Sequence, residues 1–394
     1  MIPRVRILSL LAVAALLGAA ACSKPSTKDQ PDPEPDTEYH EFPIVAWTGI
    51  DANDADAKFG PMKEAGFNVY LGWYDSIEEV ETVLTAAEKH GVKVITRSKF
   101  FLSDPVNEVN RIKERKGLFG YFLADEPEVS DLRTLGEIMT KVQNVDGDHP
   151  CYINLYPNWA WGGVNSYISR LSGYLSVVPA PFISFDFYPI LEIEGKVTIR
   201  DGWYKNLEDV RRMSRAKKLP FWAFALSLAS SGGEHPTPTL SDLRLQQFVN
   251  LVYGAQAFQY WTYWGIYHSS PTAVYNPAKQ VNKELQVLAR YFYGADVTNV
   301  WHTGGDIPAG TVELTEMPES VTKIVTGGPA IVSRIENNGR TYIAIVNKNC
   351  RQRMSLSIAF DKTVEKYDHS GYKTTVSESD TTLEAGDIIV FQTK

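Results

Sequence analysis

Two short segments of the chain end an apolar run in carboxylates. Gly120-Tyr121-Phe122-Leu123-Ala124 runs into Asp125-Glu126-Pro127, and Ile183-Ser184-Phe185 runs into Asp186-Phe187-Tyr188-Pro189. Neighbouring carboxyls can do general acid/base work, because burial or a like charge lifts one of them into the range of a proton donor. Other apolar runs end in aromatic or amide side chains. Trp47 ends one, Trp73-Tyr74-Asp75 another, and Asn154 and Tyr156 a third, with Trp159 and Trp161 beyond. Trp261, Tyr263 and Trp264 close a fourth. A further run ends in Arg97-Ser98-Lys99, and a lone carboxylate, Glu234, follows Ser230-Ser231-Gly232-Gly233. Aromatic faces stack on the C–H faces of pyranose rings, and carboxylates bind hydroxyls and move protons, so this is the set of groups a sugar site needs.

Bland readings stand beside these. Glu126 could pair with Arg97 or Lys99. Asp186 could cap its loop. Glu234 could be solvated, and Trp47 and Trp73 could be core. Trp261 and Trp264 point to different faces, so at least one of them packs against helices; Trp264, nearer the rim, is the candidate platform. Tyr188 could simply pack.

All these residues sit at the ends of strands in a regular alternation. The strand candidates are Ile44–Thr48, Asn68–Gly72, Lys93–Thr96, Gly120–Ala124, Cys151–Leu155, Ile183–Tyr188, Phe221–Leu226 and Ala257–Tyr263, with helical periodicities between them. Ser76 and Glu79 form a capping box ahead of Val80, Val83, Leu84 and Ala87. Leu135, Ile138, Met139 and Val142 make a second apolar stripe, and Leu245, Phe248, Val249 and Val252 a third. Gly66 and Gly91 each close a helix just before a strand. Eight β–α units over residues 42–296 match the usual size of a (β/α)8 barrel, about 250 residues. Continuously apolar strands fit a parallel sheet covered on both faces. An open doubly wound sheet is the alternative, but no Gly-rich phosphate loop follows the first strand. Active sites of such barrels lie at the C-terminal ends of the strands, where the candidate residues fall.

After Tyr293 the period becomes two. Met354, Leu356, Ile358 and Phe360 alternate with smaller residues, and Asn338-Gly339 is a hairpin signal. Residues 297–394 therefore read as an antiparallel β-sandwich.

Gly120–Pro127 resembles the fourth-strand signature of the large clan of retaining glycoside hydrolases on (β/α)8 barrels, which has Asn-Glu-Pro there with the Glu as acid/base. Ala257–Trp264 resembles the clan's eighth strand, where an aromatic forms the sugar platform, and Asp186–Pro189 resembles its sixth. The resemblance implies Glu126 as general acid/base, Trp264 as platform and a strand-six Tyr188 touching the catalytic carboxylate. Trp47, Trp73, Asn154 and Tyr156 would be substrate contacts. Two departures matter. Asp125 replaces the Asn that binds the sugar 2-hydroxyl. The seventh strand, Phe221–Leu228, lacks the clan's nucleophilic Glu. Three mechanisms follow. Asp186 or Glu234 could be nucleophile or base. Asp125-Glu126 could instead act as the pair it also resembles in β-N-acetylhexosaminidases, where the Asp orients the substrate acetamide and no enzyme nucleophile is needed. Or the site could bind sugar without cleaving it.

The chain has 394 residues, 39 Lys+Arg against 47 Asp+Glu and a net charge of −8. That balance argues against nucleic acid as a partner. Arg4 and Arg6, the apolar run Ile7–Leu17 and small residues before Cys22 form a secretory signal of the lipoprotein type, with Cys22 as the acylated residue. Loss of residues 1–21 would leave 37 Lys+Arg against 47 Asp+Glu, a net charge of −10. Residues 22–41, rich in Pro and charge, read as a disordered tether. The expected location is the cell envelope, lipid-anchored, on the outer membrane. Cys151 and Cys350 read as buried thiols. The seven His are scattered and no nucleophile elbow occurs, so neither a metal site nor a cofactor is expected. The sequence thus predicts a glycoside hydrolase acting on oligo- or polysaccharide, with a glycan-binding lipoprotein on the same barrel as the alternative.

Overall fold

The computed structural model describes residues 41–200, 202–230 and 232–394. The proposed signal segment, Cys22 and nearly all of the tether lie outside these residues.

Eight parallel strands close into a barrel: Ile44–Trp47, Val69–Tyr74, Lys93–Ser98, Leu118–Asp125, Cys151–Leu155, Ile183–Phe185, Phe221–Leu226 and Ala255–Trp261. The first strand pairs with both the second and the eighth. The sixth is shorter than its apolar run, because Asp186–Pro189 leaves the ladder. A hairpin of Ile190–Ile193 and Lys196–Ile199 follows it.

Local chemistry sets the helices. Ser76 Oγ accepts from Glu79 N at 3.2 Å, and Gly91, at φ +66°, ends the helix Ile77–His90 with its N–H on Ala87 O. Thr239 and Asp242 form a reciprocal cap on the helix Leu240–Tyr253. The expected stripes are buried: Leu135, Ile138, Met139 and Val142 on one helix, Leu245, Phe248, Val249 and Val252 on another.

The barrel interior is a packed aromatic core. Trp47, Phe122, Tyr152, Trp222 and Phe224 fill it with Val45, Leu71 and Ile95. Inside lies one polar chain. Gln259 Oε1 accepts from Trp47 Nε1 at 3.2 Å and from Tyr152 OH at 2.7 Å, and Gln259 Nε2 donates to Ser184 Oγ at 2.9 Å. Buried polar atoms need such partners, and this chain rises toward the mouth.

Residues beyond the last barrel helix, Tyr275–Phe292, form seven antiparallel strands. The long strand Met354–Asp368 is shared by both halves of the sheet, pairing with Val321–Thr326 over its first part and Ile388–Gln392 over its last. Val332, Ile343, Ile345, Leu356, Ile358 and Phe391 gather in one apolar cluster between them. Asn338 and Gly339, at φ +48° and +77°, make the turn between Ala330–Asn337 and Arg340–Asn347. Ile331, Ile335, Ala344, Val346 and Val390 on the opposite face join the barrel's outer core. Arg211 Nη1 donates to Val297 O at 3.1 Å, and Ser241 Oγ to Cys350 O at 2.8 Å, across the same seam. Cys151 and Cys350 are buried and free. Among the described residues no helix is long and apolar enough to cross a membrane.

Candidate active site

The fourth strand places its carboxylates through an irregularity. Phe122 is in register with Tyr152, but Ala124 is in register with Ile153 and Asp125 with Asn154. Strict alternation from an inward Phe122 would turn Asp125 outward. The extra residue instead leaves Leu123 and Ala124 both against the outer core and turns Asp125 to the opening. Glu126 then takes φ +46°, and its N–H bonds Asn154 O at 2.9 Å. A non-glycine residue in that conformation costs about 1–2 kcal/mol. Thr48, at the end of the first strand, has φ +40°.

Asn154 ties the fourth strand to the sixth. Ser184 Oγ donates to its Oδ1 at 3.0 Å, which turns its Nδ2 toward Asp125 Oδ1 at 3.1 Å and Asp186 Oδ1 at 3.4 Å. Asn154 is 2% exposed, so it acts as a positioning residue and offers a ligand almost no surface. The carboxyls of Glu126 and Asp186 lie within reach of each other and are coupled, and the Tyr188 hydroxyl stands beside Asp186. Burial and the charge of Asp125 raise the pKa of Glu126, and its contact with Asp186 works against them. Burial, then the charges of Glu126 and Asp125, push Asp186 well above the carboxylate range. Burial, then the charge of Asp186, holds Tyr188 neutral. Two partly buried, coupled carboxyls that repel each other when both are ionised favour one proton held between them.

Glu234 does not join this cluster. It is exposed and lies 3.7 Å from Arg200 Nη2. The seventh strand ends in Leu226 and a buried Ser227 whose hydroxyl donates to Thr262 O. Nor does any ion pair join Glu126 to Arg97 or Lys99 among the described residues; Lys99 pairs with Asp75 at 3.3 Å.

The aromatic candidates divide. Trp47 is fully buried, edge-on to Phe122, Tyr152 and Phe224, so it fills the barrel and presents no face to a ligand. Trp73 is 44% exposed and stacks on Phe122, and Trp264 is 51% exposed. Trp264 stands in a short helical turn after the eighth strand, beside Gly49, where a Cβ would come within 2.9 Å of the Trp264 Cβ. The bare backbone of Gly49, at φ +99°, leaves room for that indole. Trp261 packs on Trp47, and the Trp261–Thr262 peptide is cis. Tyr156 is half-buried, next to Glu126 and Glu128. Sequence reasoning names Trp159, half exposed under the Arg200 guanidinium, with the strand-end aromatics but gives it no role, and it misses the Tyr152–Gln259–Ser184 chain. A glutamine, a serine and a tyrosine at inward positions of otherwise apolar strands were the available signal. Among the described residues no group of three or more His, Cys, Asp or Glu side chains is arranged to hold a metal ion.

No family model matches the chain, and no curated protein matches it. Several solved structures are similar in fold. A glucosidase from Croceicoccus marinus is 10% identical at TM-score 0.47, over 91% of this chain and 97% of that one. An endo-1,4-beta-mannanase from Eisenia fetida is 12% identical at TM-score 0.42, over 62% and 92%. A GH10 xylanase from Thermobacillus composti is 12% identical at TM-score 0.42, over 61% and 96%.

Proposed function

We propose that this chain is a glycoside hydrolase with Glu126 as its general acid. The observation that carries the reading is the close approach of the Glu126 and Asp186 carboxyls at a barrel mouth bordered by the exposed Trp73, Trp159 and Trp264. Glu126, whose carboxyl is raised by burial and by Asp125, can take up the proton that Asp186 holds and give it to a leaving glycosidic oxygen. Paired catalytic carboxyls in retaining enzymes stand about 5–5.5 Å apart, and in inverting enzymes about 6.5–9.5 Å, leaving room for the sugar carbon or a water. Two carboxyls within reach of each other leave room for neither. Together with the carboxylate-free end of the seventh strand, this favours substrate assistance, in which a 2-acetamido group of the sugar is the nucleophile. Asp125, open at the mouth and held by Asn154, is placed to orient that group, and Asp186 with Tyr188 holds Glu126 in position.

The empty seventh strand end also supports a second reading, a glycan-binding protein without turnover. In both readings the proposed ligand is an oligo- or polysaccharide, and the N-terminal segment supports a proposed location outside the cytoplasm with an anchor at Cys22. Reducing-sugar release from panels of acetamido and non-acetamido glycans tests them, with Glu126→Gln beside the wild type. Release by the wild type alone, confined to acetamido sugars, supports the first. Retention of glycan without release supports the second. Equal release by Glu126→Gln overturns the assignment of the acid. Lipid labelling of Cys22, lost in Cys22→Ala, tests the anchor.

A further inference from the structure

Arg97 ends the third strand and faces the same opening as the carboxyls. Ile95, two residues earlier, lies in the interior core, so the period of the strand puts Arg97 on the inward face. Its register partner on the second strand is Trp73. The guanidinium carbon lies 5.4 Å from the centroid of the Phe122 ring, on which Trp73 is stacked. Trp73 and Arg97 therefore border one aromatic floor, and the exposure of Trp73 shows that this floor reaches solvent.

The guanidinium is unmatched. Among the described residues it makes no ion pair and no hydrogen bond, and its Nε is sealed from solvent with nothing to receive its proton. Burial lowers its pKa, opposed only by the more distant charge of Glu108. Glu108 is already engaged by Ser98 N at 2.7 Å and Ser98 Oγ at 2.5 Å. The neighbouring cation, Lys99, has Asp75. A contact with a ring face does not use the N–H donors of Arg97, of which Nε is buried without a partner. Partly buried charges are otherwise paired, because an unpaired one is costly. A planar fork of donors fits a carboxylate or a sulfate two bonds at a time, which an ammonium cannot do.

We propose that Arg97 recognises an anionic group, a carboxylate or a sulfate, on a sugar ring beside the one on which Glu126 acts, so that the substrate is an acidic glycan. The proposal rests on the glycosidase reading for its location: the third and fourth strands are neighbours, about 4.8 Å apart. It also answers an electrostatic problem. A mouth lined by Asp125, Glu126 and Asp186 on an acidic protein would repel an anionic chain, and one unpaired cation inside that mouth supplies both the attraction and the register.

The test uses the full chain and three probes: chondroitin, carboxyl-reduced chondroitin, and a sulfated, carboxyl-reduced form. Turnover is followed by reducing ends, and binding by calorimetry with Glu126→Gln. Arg97→Gln is expected to lower the kcat/KM ratio of chondroitin over its carboxyl-reduced form at least tenfold. Arg97→Lys, which keeps the charge and loses the fork, is expected to fall between, and thermal melts of both variants verify folding. An Arg97 dependence carried by the sulfated form identifies sulfate as the group read. Turnover with no acid preference, or a preference that Arg97→Gln leaves intact, overturns the proposal while the glycosidase reading stands. Absence of turnover with Arg97-dependent binding of an acidic probe overturns hydrolysis and supports Arg97 as the anion contact. Neither turnover nor binding with any probe overturns the proposal.

Discussion

Glu126 and Asp186 meet carboxyl to carboxyl although the fifth strand stands between theirs. The bridge is possible because Asn154, on that intervening strand, accepts from Ser184 and holds both flanking aspartates with its Nδ2. The pair is thus a property of three strands and of the hydrogen-bond chain beneath them, down to Gln259 in the barrel core.

The first expectation concerns the shared proton. Glu126→Gln removes the only group in the cluster placed to donate outward, so turnover should fall by about 10²–10⁴, the usual worth of a general acid. Glycan affinity should change little, because Gln keeps the shape. Turnover within a factor of two of wild type would end the assignment.

The pH profile offers a second check, with its sign fixed by Asp125. Its negative charge raises the pKa of Glu126 and so extends the acid form to higher pH. Asp125→Asn should therefore move the alkaline limb of kcat/KM to lower pH, beyond any loss of substrate orientation. A limb that stays in place, or moves up, contradicts the coupling.

The barrel was legible because its code is periodic: apolar runs at strand spacing, Ser76 and Gly91 at the ends of one helix, Asn338-Gly339 between two strands. The carboxylates were legible because Asp125-Glu126 and Asp186 end their runs. What periodicity does not encode is the irregularity in the fourth strand. Leu123 and Ala124 look like ordinary alternation, yet both face outward and so turn Asp125 in. The role of Trp47 was hidden for a related reason. A tryptophan at a strand end reads as a rim residue, but here the indole folds down to donate to Gln259, two residues before Trp261. Arg97 was visible as a type, while its lack of any partner is a property of the assembled mouth.

Trp47 and Trp264 should respond oppositely to truncation. Trp47→Ala opens a cavity in the interior core and should destabilise by about 3–5 kcal/mol. Trp264→Ala removes an exposed ring and should leave the melting temperature nearly unchanged while weakening glycan binding by roughly 1 kcal/mol or more. Calorimetric melts and glycan titrations of the two variants decide it. A stable Trp47→Ala would contradict the packed interior.

The barrel and the β strands should unfold together. Arg244 and Glu284 pair at 2.9 and 2.5 Å between the helices Leu240–Tyr253 and Tyr275–Phe292, with both residues buried. Arg244 Nη2 also reaches His369 Nε2 at 3.2 Å, and His369 Nδ1 is 2.7 Å from Asp387, so the pair is continuous with the β strands. Glu284→Ala strands a buried guanidinium and should cost about 3–5 kcal/mol. The melt should remain a single transition at lower temperature. Two separated transitions would show that the seam is not cooperative.

The strain of the carboxyl pair should also be visible in stability. Asp186 has a folded pKa raised by burial and by Glu126, so its contribution to stability is complete below its unfolded pKa of about 3.9. That contribution is lost as pH rises through the higher folded value, because the unfolded chain releases the proton more readily. Asp186→Asn carries no ionisable group and can still hydrogen-bond Glu126. Its melting temperature relative to wild type should therefore rise between pH 4 and pH 8, reaching an advantage of about 1 °C if the pair stores ~1 kcal/mol. Turnover should fall in the same variant, since Glu126 loses its proton partner. A difference in melting temperature that is flat across this range, or that shrinks toward pH 8, would mean that Asp186 ionises as freely in the folded protein as in the unfolded one, and the shared proton would have to be abandoned.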